Sequence, residues 1–179
     1  MRKTVVHHAR RSTPANRLLA SLPHADLARG DEVARACRSA SWADTARAPP
    51  TARALYFPET CIVSLLGVLA NGDTSEVSLT GREGCVGLGL VLGGRQHDPA
   101  GDRAECGHRV ALEDGALRRE LRRGGAVERM LLHYVQAVWS QTAQSALCNR
   151  HHTLEQQMCR WFLASLDRVN GNTLRMTQS

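Results

Sequence analysis

The long stretch 127–149, which contains neither proline nor glycine, constrains the fold more than any other part of the sequence. Its apolar residues recur at helical spacing in two neighbouring stripes, an arc wider than one buried face requires. The first stripe runs Val127, Leu131, Tyr134, Val138 and continues through Gln141, Ser145 and Cys148; the second runs Leu132, Val135, Trp139, Thr142 and Ala146. The pattern predicts a dimer helix that packs on its own domain with one stripe and on a partner with the other. A helix buried within one domain is the alternative.

The predicted dimer interface takes residues from both stripes. They are Leu131, Tyr134, Val135, Val138, Trp139, Thr142 and Ser145. A parallel homodimer is therefore expected, with the helix spanning residues 126–150.

Composition limits the remaining possibilities. The chain has 179 residues, of which 42% are hydrophobic and only 4% aromatic, so its core must be aliphatic. The net charge of +6 allows an acidic partner such as nucleic acid, although the basic arm 1–15 and the arginines within 118–123 also suit a solvated surface. The six cysteines form no CxxC pair, which indicates no metal or iron–sulfur site. No signal peptide or span-length apolar run is present, so a cytoplasmic location without membrane contact is expected.

The middle of the chain reads as strands joined by tight turns. Residues 55–57 and 61–70 are apolar, and Asn71-Gly72 predicts a two-residue hairpin turn. The following segment alternates at period two and predicts Val77 and Leu79 facing inward. Glycines at 84–94 allow a short helix, residues 103–112 a further strand, and Asp114 a cap for a helix over 116–122. Residues 31–53 indicate only weak strands.

Both ends carry helix signals. Asn16 is a candidate cap for a short helix bearing Leu18, Leu19 and Leu22. Thr153 and Gln156 form a capping box, which predicts a second C-terminal helix ending at Asn170-Gly171. That helix is expected to bury Leu154, Met158, Trp161, Phe162 and Leu166. Helices together with hairpin-joined strands predict an α+β class.

Three blocks of sequence resemble the CRP/FNR-type bacterial transcription regulators. The first is Tyr56-Phe57-Pro58-Glu59 followed by Ile62-Val63-Ser64-Leu65-Leu66. The second runs from Asn71-Gly72 through Glu76-Val77 to Gly81-Arg82-Glu83-Gly84-Cys85-Val86-Gly87. The third spans 144–161 and includes Cys148-Asn149-Arg150 and Leu154-Glu155-Gln156. Together the blocks cover about residues 16–178.

The resemblance implies a fold and a division of the chain. The fold is a double-stranded β-helix, a jelly-roll of the cyclic-nucleotide-binding kind, with short flanking helices and a long C-terminal dimerisation helix. Residues 16–125 would form the β-roll, 126–150 the dimerisation helix, and 151–179 the hinge and first helix of a DNA-binding domain. The family's winged helix-turn-helix would begin near 176–178, so this sequence is expected to lack it and to contact DNA only nonspecifically.

The resemblance also implies an effector site. Val86-Gly87-Leu88 aligns with the family's ribose-binding motif, and Asp102-Arg103-Ala104 with its phosphate-binding motif. Ser140 and Gln141 align with the dimer-helix positions that contact the base; alternatively they are polar residues that set the helix register. The first motif lacks the carboxylate that would accept from the ribose hydroxyl, so cyclic AMP is not the expected effector. The effector remains unassigned, and no other cofactor is expected.

Two function classes follow. The first is the effector-sensing and dimerisation part of a transcription regulator. The second is a stand-alone ligand-binding or protein-interaction module without DNA binding. No catalytic residues are predicted, because His97 and His108 stand alone, and the adjacent His151 and His152 lack the companions of a metal site.

Overall fold

A computed structural model describes residues 14–23, 37–41, 54–94, 102–104 and 108–168, with 37–41 and 102–104 described by their backbone alone. Nearly all of the predicted basic arm and the predicted helix end at Asn170-Gly171 lie outside these residues. The strands are β1 Cys37–Ser41, β2 Ala54–Pro58, β3 Val63–Val68, β4 Thr74–Thr80, β5 Asp102–Ala104 and β6 His108–Glu113. The helices are α1 Arg17–Ala20, α2 Leu88–Val91, α3 Asp114–Arg123, α4 Ala126–His151 and α5 Leu154–Leu166.

The described strands form two antiparallel sheets of three strands each. The first has the order β1-β6-β2 and the second the order β4-β3-β5. The predicted α+β class is confirmed. One of the weak strands expected within 31–53 is present as β1, whereas the single strand expected over 103–112 is two strands, β5 and β6.

Alternation along β2 assigns each face of the first sheet to a different core. Leu55 and Phe57 belong to a main cluster shared with α1, α2, α3 and α4, whereas Ala54 and Tyr56 belong to a second cluster with Val63 of the other sheet. Successive side chains of a strand point to opposite faces. The first sheet therefore lies between the helices and the second sheet.

The β3–β4 hairpin occurs where Asn71-Gly72 predicts it, but its turn is longer than expected. The Leu69 amide donates to the Asp73 carbonyl (2.8 Å), and the Gly72 amide donates to the Leu69 carbonyl (2.9 Å). Gly72 has φ 90°, so the loop has three residues and ends in a glycine with positive φ. The two-residue turn fails because the Asp73 amide donates to the Asn71 side chain (3.1 Å) instead of to the backbone.

A β-bulge in the same hairpin makes the prediction for Val77 wrong. Leu65 pairs with Ser78 but Leu66 pairs with Glu76, so Val77 is an extra residue without a partner in the ladder. A bulge interrupts the period-two alternation on which the prediction relied. Val77 is consequently 56% exposed, and Leu79 is half-buried.

The short helices follow their local capping signals. The Asn16 side chain accepts from the Leu18 and Leu19 amides (3.0 and 3.1 Å), which confirms its predicted capping role at α1. Its amide nitrogen also donates to the Pro58 and Gly84 carbonyls (2.8 and 2.9 Å), so the cap fastens α1 to both of these segments. At α3 the cap is Glu113, one residue earlier than predicted, and Asp114 occupies the first turn.

Helix α5 begins at the predicted capping box, but its predicted buried face is covered only in part. The Thr153 hydroxyl accepts from the Gln156 amide (3.4 Å), and the Gln156 side chain accepts from the Thr153 amide (3.0 Å). Among the side chains expected to be buried, Leu154, Met158 and Leu166 are exposed, whereas Trp161 and Phe162 are half-buried. The described helix runs to Leu166, with Asp167 at the C-cap position.

Candidate functional site

The second cluster is a small apolar core between the sheets, and the region it occupies is called the compartment below. Its buried residues are Ala54, Tyr56, Cys61, Val63 and Val86, with Leu65 and Ala111 half-buried beside them. Val86 is fixed there by two backbone hydrogen bonds with Tyr56, one in each direction (2.8 and 2.9 Å). The compartment thus contains one residue of the predicted effector site, Val86, and contains no carboxylate among these residues.

The chain leaves the compartment through Gly87. Gly87 has φ 102°, and a side chain there would press on the Ala54 carbonyl (3.0 Å). This positive φ turns the chain directly into α2, where Leu88 packs on the main cluster and not on the compartment. Of the three aligned residues, therefore, only Val86 lies in the compartment.

Arg109 is a buried cation that sequence reasoning missed. It is 5% exposed on β6, and its guanidinium carbon lies 4.2 Å from the centroid of the Tyr56 ring. On a strand, Arg109 and Ala111 share one face, and Val110 and Leu112 share the other. Because Ala111 borders the compartment, this alternation could have indicated that Arg109 lies on the same side. A cation stacked on an aromatic face in a buried site favours an anionic or electron-rich group nearby.

Burial and the nearby positive charge have opposite effects on the pKa of Cys61. Burial raises the pKa of its thiol, while backbone hydrogen bonds and the positive charge of Arg109 act in the opposite direction. The thiol lies 3.6 Å from the carbonyl oxygen of His108, to which it donates. At neutral pH Cys61 is therefore a neutral wall residue.

The other aligned residues are not all brought together. Arg103 and Ala104 lie on β5, where Arg103 pairs with Ser64 and Ala104 with Val63; their side chains are outside the described part of the chain. The register brings Ala104 beside a compartment residue. Ser140 and Gln141 are exposed on α4, so the protomer itself does not bring them to the buried Val86.

Helix α4 spans the predicted residues and presents its two stripes differently. Val127 and Leu131 are buried in the main cluster, with Tyr134 packed against it. Leu131 belongs to the core of its own protomer and has no surface left for the predicted dimer interface, whereas Tyr134 is half-buried against that core. Ser145 is half-buried beside Arg160 of α5, whose guanidinium donates to its hydroxyl (2.8 Å).

The second stripe of α4 remains open. Leu132 is 46% and Trp139 78% exposed. Thr142 and Ala146 are also exposed, while Val135, like Val138 of the first stripe, is half-buried. This surface, Leu132, Val135, Trp139, Thr142 and Ala146, is called the open stripe below.

Tyr134 joins α4 to the segment that leads into the compartment. A side chain at Gly84 would overlap the hydroxyl end of Tyr134, so only glycine allows this approach. Burial raises the pKa of Tyr134 above its ordinary value, and burial likewise raises that of the neighbouring Cys85. Both groups stay neutral. The Tyr134 side chain packs closely against Gly84 and hydrogen bonds to the Cys85 backbone.

No metal-binding group and no membrane-crossing helix occurs in the described residues. No set of three or more His, Cys, Asp or Glu side chains there is placed to hold a metal ion. Although α4 is long, no helix in the same residues is apolar enough over a sufficient length to cross a membrane.

Comparisons with known proteins give structural matches only. No protein-family model and no curated protein matches the chain. One similar structure is the catabolite activator protein of Thermus thermophilus (16% identity, TM-score 0.46), for which the match covers 74% of this chain and 60% of that one. Another is the N-terminal domain of a transcriptional regulator from Streptomyces coelicolor (17% identity, TM-score 0.45), covering 79% and 100%.

Proposed function

We propose that this chain is the effector-sensing and dimerisation part of a CRP/FNR-type transcription regulator, and a binding module rather than an enzyme. In this proposal the two sheets form the jelly-roll, the compartment receives the effector, and α4 joins two copies. The observation that carries the proposal is the open stripe. Apolar residues at a and d spacing remain exposed on a helix whose opposite face is already packed on its own protomer.

The large exposed Trp139 favours a second copy as the partner of the open stripe. Tryptophan buries more area than most side chains and is enriched in the energetic centres of interfaces. Contacts within the protomer leave the Trp139 side chain 78% exposed. A two-fold partner would cover the stripe with the same stripe, as a self-complementary interface requires.

Sedimentation tests the dimer. Wild type should sediment as a dimer at micromolar concentration, and Trp139→Glu should sediment as a monomer, because the seam would bury an unpaired charge. Ala137→Glu is the matched control: it places the same charge on an exposed position of α4 outside the open stripe. A monomeric wild type, or equal effects of the two variants, would contradict the proposal.

The compartment supports an effector other than cyclic AMP. Its described wall offers Tyr56, Arg109 and Val86 but no carboxylate for a ribose hydroxyl. The missing charge-assisted hydrogen bond is worth about 1.5–3 kcal/mol in general. Calorimetric titration with cyclic AMP should therefore detect no tight binding, and an affinity in the low micromolar range would refute this part of the proposal.

We propose that any DNA binding by this polypeptide is independent of sequence. The described basic groups include an arginine face on α3, where Arg118 pairs with Asp114 and Arg123 with Glu120 (both 2.8 Å). Binding through charge alone is weak and salt-sensitive, with dissociation constants of about 10⁻⁴–10⁻⁶ M. A gel shift at about 150–200 mM salt should show no preference for a two-fold operator over scrambled DNA. A tenfold preference would contradict this expectation.

A further inference from the structure

The turn between β3 and β4 contains a side-chain amide that stands directly before a glycine, in the pair Asn71-Gly72. Residues 70–73 are all exposed, so water has free access to this pair. Among the described residues, none beyond the two chain neighbours of Gly72 lies within 4 Å of the place where a side chain would begin. Asparagine is a chemically labile residue, and it reacts fastest where the next main-chain nitrogen is unhindered. The turn therefore presents a reactive pair that neither the open stripe nor the compartment uses.

The reaction of such a pair is deamidation through a cyclic imide. The Gly72 nitrogen gives up its proton and bonds to the side-chain carbonyl carbon of Asn71. The bond from that carbon to Nδ2 breaks, and ammonia leaves with the proton. Water then opens the five-membered succinimide ring. Opening at the side-chain carbonyl gives aspartate, and opening at the main-chain carbonyl gives isoaspartate. Water is the only co-reactant.

The turn fixes the Asn71 side chain through two hydrogen bonds with Asp73. Its Oδ1 accepts from the Asp73 amide (3.1 Å), and its Nδ2 donates to the Asp73 carboxylate (2.7 Å). The first bond polarises the side-chain carbonyl. It also places a donor at the oxygen on which negative charge develops when the Gly72 nitrogen attacks. The Asp73 amide thus favours the reaction.

One contact opposes the reaction. The Gly72 amide, which supplies the attacking nitrogen, donates to the Leu69 carbonyl (2.9 Å) and must release this bond first. The net contribution of such a hydrogen bond slows the attack by about tenfold at most. Because the whole loop is exposed, releasing the bond uncovers no core residue. The folded turn therefore delays deamidation but does not prevent it.

We propose that Asn71 is a modification site, which the folded chain converts spontaneously to aspartate and isoaspartate. The conversion replaces the Nδ2 donor with an oxygen, so that two carboxylates face each other where Asn71 and Asp73 now share a hydrogen bond. Like charges at this distance repel. Isoaspartate also adds a methylene group to the main chain. Both products weaken the bond from the Leu69 amide to the Asp73 carbonyl (2.8 Å) that closes the loop.

Peptide mapping by mass spectrometry tests the site in the full-length folded chain. During incubation in mildly alkaline buffer, the peptide with Asn71 should convert progressively to separable aspartate and isoaspartate forms. The rate should rise with pH, because the attacking nitrogen must lose a proton. Asn16 is the internal control and should stay intact, since its amide is buried and donates to the Pro58 and Gly84 carbonyls. Absence of conversion at Asn71 in the folded chain would overturn the assignment, whether or not the urea-unfolded chain converts there.

Hydrogen exchange followed by NMR tests the consequence. Asn71→Asp reproduces one product and should raise exchange of the Leu69 and Gly72 amides several-fold, while the amides of α4 around Leu131 stay protected. The matched double variant Asn71→Asp with Asp73→Asn again pairs one carboxylate with one amide, so exchange should return close to that of the wild type. Unchanged exchange in Asn71→Asp, or equal acceleration in the double variant, would overturn the proposed loosening by charge repulsion.

Discussion

Helix α4 packs on its protomer through apolar side chains, whereas helix α5 is held through polar ones and turns apolar side chains outward. Leu131 of α4 is fully buried and Tyr134 fits against Gly84. In α5, Leu154 is 72% exposed while Trp161 and Arg168 hydrogen bond to carboxylates. The difference separates a helix that forms part of the apolar core from a helix whose long-range hydrogen bonds are polar contacts at the surface. A break at His152 and Thr153 divides them.

The largest expected effect comes from removing the apolar anchor of α4. Leu131→Ala deletes a side chain with no exposed surface, and such changes cost about 2–5 kcal/mol through lost burial and the remaining cavity. Leu147→Ala is the matched control on the same helix, since Leu147 is 56% exposed and should cost within about 0.5 kcal/mol. Urea unfolding measures both, and equal losses would contradict the assigned packing of α4.

A smaller effect is expected from crowding the contact between α4 and segment 81–87. Gly84→Ala should destabilise by about 1–3 kcal/mol, because the new methyl group meets the Tyr134 ring. Replacing Tyr134 by leucine as well should recover part of the loss, giving a total smaller than the sum of the single changes. Strict additivity in unfolding experiments would show that the two residues do not touch.

Alkaline pH should lower the stability of the folded protein through two buried groups, Tyr134 of α4 and the neighbouring Cys85. The pKa values of Tyr134 and Cys85 are raised by burial above their ordinary values of 10.0 and 9.0. In the unfolded state these groups lose their protons first, so their contribution is complete below about pH 9 and declines as pH rises. Tyr134→Phe should make the alkaline decline of the melting temperature shallower than in wild type. An identical decline would mean that Tyr134 is not the buried group assumed.

Local signals in the sequence predicted the elements, and contacts between distant residues decided their orientation. The capping roles of Asn16 and Thr153 follow from side-chain chemistry within three residues, so both were predictable. The Asn16 contacts to Pro58 and Gly84 join residues far apart in the chain and have no local signal. The same holds for the bulge at Val77, which depends on the partner strand.

The candidate site divides in the same way. Val86 was predicted through its motif, and the compartment contains it. Arg109 was missed because alternation alone does not show that Tyr56, on a neighbouring strand, stacks against its guanidinium. The apolar period of α5 was read correctly, yet periodicity shows only which side chains share a face. Whether that face is covered depends on which other elements pack against the helix.

The most direct test of the central claim is a disulfide across the open stripe. In a parallel helix pair, the same a position of both copies comes close enough for a disulfide, with Cα atoms about 4.4–6.8 Å apart. Cys37, Cys106 and Cys159 would first be changed to serine, which leaves the buried Cys61, Cys85 and Cys148. Trp139→Cys in this background should form a covalent dimer on mild oxidation, whereas Ala137→Cys, outside the stripe, should not. Equal cross-linking by both variants, or cross-linking by Ala137→Cys alone, would contradict the account.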